Sequence, residues 1–546
     1  MSEVRLVEGY YLQNFLAVID EVDARDGDLL EPGERALLAR FRSLSLGAQR
    51  LYVRLLTRKG PWFRLDSLNY PEIGDPLPLV EELLQAGFCE NRPELKDLLP
   101  LLLRADALRA LADLGLTPPK GARRQELLDG LVDCADLGRL SSQLHPLKPC
   151  WDELWTRIFL MYFGNFEQDL ATFVVADTGI IRYESYRVDP NLRLFEARAD
   201  VDYLLSLRSL REQLQATPSE ADLDTLTQTA LSMETHPGIR QQRRYQRLLN
   251  ELGQAWERVR NLDKAMACFS RSERPPARER RVRILAAQGQ AKTACRLAMD
   301  LLETPQDVAE VRFARGFLER RRRGDVMVEA WLRNHPQPEA PPELRLQLPR
   351  HPEGVEQAAL RAARLAGWEG FFAENSLWRA LFGLLFWGEL FADVPGAFRH
   401  RFQSAPLDLG SAGFYQRRRE RIDLRLAALS AGENLRDQLL QVAGEKWGVA
   451  NAFLNWRHLE RWQLAEALGR IEPPVLAGVM RLMLRNPLAF ASGFPDLFLF
   501  HPASGAWKLW EVKGPGDILR PEQEWWLRQF KQWGVEALVV KVVYAE

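Results

Sequence analysis

Apolar and polar positions alternate most clearly near the C-terminus. Leu497-Phe498-Leu499-Phe500 reads as a buried strand, Pro502-Ala503-Ser504-Gly505 as a turn and Trp507 to Lys513 as a second strand, which together predict a hairpin. From Pro521 the period changes. Trp526, Leu527, Phe530 and Trp533 recur at helical spacing, and Gly534 is a natural stop. Ala537 to Val543, apolar except for Lys541, reads as a further buried strand. The order strand, strand, helix, strand predicts an α/β layer, and its first strand is expected near Pro487 to Ala491.

Upstream the pattern is helical. Residues 1–95 include Leu51 to Lys59 followed by a short β-like Trp62 to Leu65, which together suit a winged-helix-like domain. Residues 96–135 carry two short amphipathic helices joined by a turn bearing Gly and Pro. Residues 136–235 read as a helical connector. In 236–350, Leu252-Gly253, Trp256, Ala265, Phe269 and Pro276 match the 34-residue tetratricopeptide template, and Leu285, Gly289 and Ala294 make a poorer second copy. Six prolines between Asn334 and Pro352 cannot sustain a helix and mark a boundary. Residues 351–546 form the last domain, with a helical insertion from Arg417 through Trp462.

With 546 residues the chain exceeds one hydrophobic core and is expected to form about three or four domains. It contains no run of about twenty apolar residues and no secretory pattern at Met1-Ser2-Glu3-Val4-Arg5, so a soluble, intracellular protein without a membrane partner is expected. The five cysteines are scattered and never spaced Cys-X-X-Cys, which supports neither a zinc finger nor a disulfide framework. A net charge of -1 hides arginine clusters at Arg278-Arg283, Arg320-Arg323 and Arg417-Arg421. Each suits either a solvated helix face or a phosphate track.

The hairpin also carries chemistry. It can bring Asp496 and Glu511 to one end, and two carboxylates with the Val512 carbonyl suit a hard cation such as Mg²⁺ or Mn²⁺. Lys513 shares the strand parity of Glu511, so its ammonium is expected in the same space, placed to orient a water or stabilise an anionic transition state. An edge hairpin with a solvated salt bridge fits the same spacing. Glu374 heads a strongly apolar helix, where a carboxylate also simply complements the helix dipole.

The stretch Trp510-Glu511-Val512-Lys513-Gly514-Pro515-Gly516-Asp517, followed by Gln523 and Trp526-Leu527, resembles the VRR-NUC branch of the PD-(D/E)XK nucleases. Glu374-Asn375-Ser376-Leu377-Trp378, running on through Leu381 to Trp387, resembles the acidic helix that supplies a third carboxylate in Fanconi-associated nucleases. Residues 1–95 share that resemblance, and 96–135 resemble a SAP module. The implied fold class is multidomain, with mostly α N-terminal, SAP-like and tetratricopeptide-like regions and a C-terminal α/β restriction-endonuclease-like core. The implied activity is a metal-dependent DNA phosphodiesterase leaving 5′-phosphate ends, a 5′ flap endonuclease and 5′ to 3′ exonuclease of the phosphodiesterase I type, acting in interstrand crosslink repair.

On that resemblance Glu374, Asp496, Glu511 and the Val512 carbonyl hold one or two Mg²⁺ or Mn²⁺ ions, and Lys513 positions the water. Gln523 hydrogen-bonds Lys513 or a phosphate, or caps exposed surface. Arg54, Arg58, Lys59 and Arg64 are candidates to grip a duplex, as are Lys120, Arg123 and Arg124 near the start of a helix able to receive phosphate. Branched or flapped DNA is the expected partner, with self-association or a protein partner through the repeats. The compact form without zinc-finger spacing suggests a bacterial, nucleoid-associated protein; a eukaryotic one would be nuclear. The alternatives are a SAP and tetratricopeptide adaptor with a degenerate core, and a restriction-type endonuclease, for which no base-reading module is evident.

Overall fold

The computed structural model describes residues 9–544 except 59, 69, 119, 133–136, 190, 217, 337–338 and 375. The chain divides into one unit of residues 1–182 with 188–201 and another of 183–187 with 202–546.

In the first unit the helices Tyr10–Asp26, Leu46–Leu56 and Asp152–Phe163 pack around an aromatic core. Phe15 lies 5.0 Å from Trp155, and Tyr52 lies 5.1 Å from Phe88, ring centre to ring centre. Burying Tyr52 and Trp155 requires partners for their polar atoms. The indole N–H of Trp155 donates to the Tyr52 hydroxyl at 2.6 Å, and that hydroxyl donates to the Cys150 carbonyl at 2.5 Å. Three short strands, β1 (Phe63–Arg64), β2 (Cys89–Glu90) and β3 (Pro146–Pro149), form an antiparallel ribbon in the order β1-β3-β2. The helices Arg104–Asp113 and Arg124–Asp129 share a leucine core that also takes in Leu140 and Leu144. The stretch read as a helical connector is therefore divided: β3 and Asp152–Phe163 belong to the first unit, and residues 202–235 to the second.

The second unit contains stacked helices, Ile239–Arg258 against Leu262–Phe269 and Ala277–Ala287 against Ala291–Glu303, followed by Val308–Glu319. Gly253 permits the close approach of the first pair, since a Cβ there would sit 2.6 Å from the Phe269 ring.

Beyond them lies a mixed sheet of β4 (Glu343–Leu348), β5 (Glu369–Phe372), β6 (Leu497–Phe500), β7 (Trp507–Lys513) and β8 (Glu536–Tyr544), in the order β4-β8-β7-β6-β5. β5, β6 and β7 run antiparallel, whereas β8 pairs parallel with both β7 and β4. Alternation along β6 sends Leu497 and Leu499 to the face covered by the helix Val355–Leu365. Phe498 and Phe500 face a larger core containing Trp378, Trp526 and Phe530. Both faces are buried, which is why β6 is apolar at every position.

Two expectations are corrected. Pro487 to Ala491 is not a strand. It is a turn after the helix Pro473–Arg485 that anchors Phe490 and Ala491 in the core. The partner of β6 is β5, where Gly370 is required because a Cβ would meet the Phe498 carbonyl at 2.6 Å. The proline-rich stretch does exclude a helix, but between its prolines Glu-Leu-Arg-Leu-Gln-Leu forms edge strand β4, so the sheet begins before residue 351. No helix among the described residues is long and apolar enough to cross a membrane.

Candidate functional site

The register that pairs Leu497 with Trp510 sets Asp496, just ahead of β6, opposite Glu511 in β7. Asp496 is fixed on both sides. Its Oδ2 accepts from the Val512 N–H at 2.8 Å, and its carbonyl accepts from the N–H groups of Ala373 at 2.8 Å and Glu374 at 3.3 Å. The last two contacts tie the chain leaving β5 to the start of β6 and so bring Glu374 to the same edge of the sheet. Glu374 precedes the helix Leu377–Leu385 rather than lying within it.

Glu511 is 0% exposed, and neither of its carboxylate oxygens has a hydrogen-bond partner. Lys513 Nζ lies 2.7 Å from Glu511 Oε1 and forms an ion pair with it. Burial, followed by the charge of Asp496, pushes the Glu511 carboxyl up to about 8 against the pull of Lys513. Asp496 is raised to about 6, chiefly by burial and further by Glu374 and Glu356, while the Val512 N–H and Lys513 oppose the rise. Two buried carboxylates that resist sharing one pocket as anions are chemically suited to a cation. The residues therefore fit a hard divalent cation, with Val512 buried alongside.

Glu374 stands apart. Its Oε1 accepts from Arg520 Nη2 at 3.1 Å, and among the described residues no three carboxylate, histidine or cysteine side chains converge tightly enough to enclose an ion. Gln523 is 1% exposed, and its Oε1 accepts from the Arg520 N–H at 3.0 Å. It closes the start of the helix Pro521–Gln532 from a buried position, so it does not cap exposed surface. Arg520 was missed in the sequence because one arginine among 73 basic residues carries no signal of its own.

The candidate DNA-contacting residues separate by their partners. Arg54 pairs with Glu72 at 2.7 Å, and Arg64 pairs with Asp66 and Asp106. Arg124 donates to the carbonyls of Leu102 at 2.9 Å and Pro100 at 2.7 Å. Arg58 is exposed but donates to the Ser67 carbonyl at 3.2 Å and the Tyr70 hydroxyl at 3.3 Å, Lys120 and Arg123 are exposed, and Lys59 lies outside the described residues. Two of the arginine clusters are largely paired: Arg278 is buried against Glu310 and Arg418 against Asp408, while Arg281, Arg283, Arg417 and Arg419 each hold a carboxylate at the surface.

Two family models match: "FAN1, HTH domain" over residues 9–90 and "VRR-NUC domain" over residues 432–544. A Pseudomonas aeruginosa protein, "Fanconi-associated nuclease 1 homolog", is 35% identical over 533 residues, covering 95% of this chain and 93% of that protein. The human "Fanconi-associated nuclease 1" is 26% identical, covering 98% of this chain and 62% of its own length. A crystal structure described as paFAN1 bound to 2nt 5′ flap DNA with gap superposes with a TM-score of 0.87 at 32% identity, covering 99% of this chain and 100% of that one.

Proposed function

The chain belongs to the Fanconi-associated nuclease family, and from that premise we propose that it is a divalent-metal-dependent phosphodiesterase that incises DNA at 5′ flaps and trims it from the 5′ end, in a repair role that includes interstrand crosslinks. The observation that carries this reading is the buried pair Asp496 and Glu511 with Lys513 beside it.

Asp496 and Glu511 would hold the ion, with the Val512 carbonyl as a further oxygen ligand and Glu374 as the third carboxylate. When bound, Mg²⁺ or Mn²⁺ supplies a more acidic attacking water and neutralises charge on the scissile phosphate and its leaving oxygen. Lys513, held 2.7 Å from Glu511, orients the water and offers positive charge to the phosphorane-like oxygens. Sequestered between β6 and β7, these groups act where the local dielectric is low and each charge interaction is correspondingly strong. The helical repeats serve as scaffold and as a surface for self-association or a protein partner.

The test is cleavage of a labelled 5′ flap duplex beside nicked and 3′ flap controls in Mg²⁺ or Mn²⁺. Selective 5′ flap incision is expected. Equal cutting of all three substrates would remove the structure selectivity, and binding without product would favour an adaptor.

The exposed Lys120 and Arg123 are proposed to contact phosphates, as is Arg58; Arg54, Arg64 and Arg124 support the fold through their internal pairs. Replacing both Lys120 and Arg123 by alanine is expected to weaken binding to all duplex sequences and to reduce the salt slope by roughly two. An unchanged slope in a fluorescence-anisotropy titration would take them out of the interface.

A further inference from the structure

Arg520 sits at the junction between the loop that follows Lys513 and the helix Pro521–Gln532. Its backbone is held fast: its N–H is bound by the buried Gln523, and Pro521 follows directly. Against the same helix start lies Gly493, at φ +84°, where a Cβ would come within 2.4 Å of Glu522 Cβ and 3.1 Å of Gln523 N. Its side chain is another matter, 61% exposed with its guanidinium on Glu374, which is itself 36% exposed. A fixed pivot thus carries an arm able to swing. The arm lies along an open cavity lined by Glu374, Ser492, Gly493, Glu522 and Asp307, in which Arg520 is the sole basic lining residue among those described.

The partner matters. Glu374 is near enough for its charge to raise both Asp496 and Glu511, yet it is paired with Arg520 rather than gathered with them. A guanidinium and a divalent cation compete for the same carboxylate oxygens, and a guanidinium displaced from a carboxylate is geometrically suited to a phosphate.

We propose that Arg520 is a positioning residue that holds Glu374 away from the Asp496–Glu511 pair until a divalent cation claims it, whereupon the guanidinium transfers to a phosphate of the bound DNA. This rests on the reading of Glu374, Asp496 and Glu511 as the metal site. The exchange couples metal loading to substrate grip: the ion's claim on Glu374 frees one guanidinium for the DNA backbone, and a phosphate held by Arg520 leaves Glu374 open to the ion.

The experiment is Mn²⁺ binding to the full chain without DNA, followed by electron paramagnetic resonance, for wild type, Arg520→Gln, Arg520→Lys, Glu374→Gln, the Glu374→Gln/Arg520→Gln double variant and Asp496→Asn. Arg520→Gln is expected to bind Mn²⁺ about three- to tenfold more tightly, because the competing charge is gone. Arg520→Lys stays near wild type, and the gain vanishes when Glu374 is already glutamine. In EDTA, Glu374→Gln should bind flap DNA more tightly with a salt slope steeper by about one, and that gain should be lost in the double variant. Unchanged or weaker Mn²⁺ binding by Arg520→Gln, or the same gain in the Glu374→Gln background, overturns the exchange. If instead wild type binds no Mn²⁺, or Asp496→Asn binds it as well as wild type, the metal-site reading itself has failed.

Discussion

Asp496→Asn is expected to lower 5′ flap cleavage by at least about a thousandfold, a loss of roughly 4 kcal/mol of transition-state stabilisation. The substitution keeps the volume of the side chain and an oxygen to accept the Val512 N–H, now held at 2.8 Å, so the β6–β7 junction should survive. What disappears is the negative charge facing Glu511. An amide in its place offers the ion one weak neutral oxygen and turns an N–H₂ toward a pocket that needs anions. Flap DNA binding in Ca²⁺ should largely remain, because Lys120, Arg123 and Arg58 lie in the first unit and only the Arg520 contact depends on the ion. Single-turnover cleavage in Mg²⁺ or Mn²⁺ checks this; a rate within tenfold of wild type would place the essential ligand somewhere other than Asp496.

The hairpin that positions Asp496 was legible because strand period, turn and parity are all local properties of residues 497–513, and the structure reproduces them as β6 and β7. The fold class held for the same reason, since the helical period upstream and the buried strands downstream are each written in a few consecutive residues. The strands β4 and β5 were not legible. β5 is four residues long and carries a glutamate and a glycine, and the glycine is there for the carbonyl of Phe498, more than a hundred residues away. β4 is an edge strand whose prolines fall outside its pairing residues, so its alternation was masked by a composition that signals a loop. Site roles divide in the same manner. The pairing of Asp496 with Glu511 follows from register, but the pairing of Glu374 with Arg520 spans two loops brought together only by the fold. Local charge runs were a poor guide to free cationic surface, because a sequence shows the arginines of 278–283 and 417–421 without showing the carboxylates that answer them.

A second large effect is expected in the opposite direction, on stability. Glu511→Gln should abolish cleavage and yet make the metal-free chain more stable than wild type at pH 8. The Glu511 carboxyl, near 4.5 in an unfolded chain, is raised to about 8 in the fold by burial and by Asp496. Between those values the folded chain keeps a proton that the unfolded chain has released, so stability falls as pH rises from about 4.5 to about 8 and is lowest above that window. Asp496, raised to about 6, adds the same sign over the lower part of the range. Glutamine does not titrate and does not repel Asp496, so the variant should escape a cost on the order of 2 kcal/mol at pH 8 and differ little from wild type at pH 5. In EDTA this should appear as a melting transition a few degrees higher for Glu511→Gln at pH 8, converging with wild type as the pH is lowered. Adding Mn²⁺ should reverse the ranking, because an ion that binds only the folded wild-type site stabilises it in proportion to occupancy while the variant gains little. A difference between the two proteins that does not change with pH would mean that Glu511 is not held as a strained, ion-seeking carboxyl. A buried charge that destabilises its own fold until a cation arrives is what a metal-dependent site costs, and the fold bears that cost through the packed layers on both faces of β6 and β7.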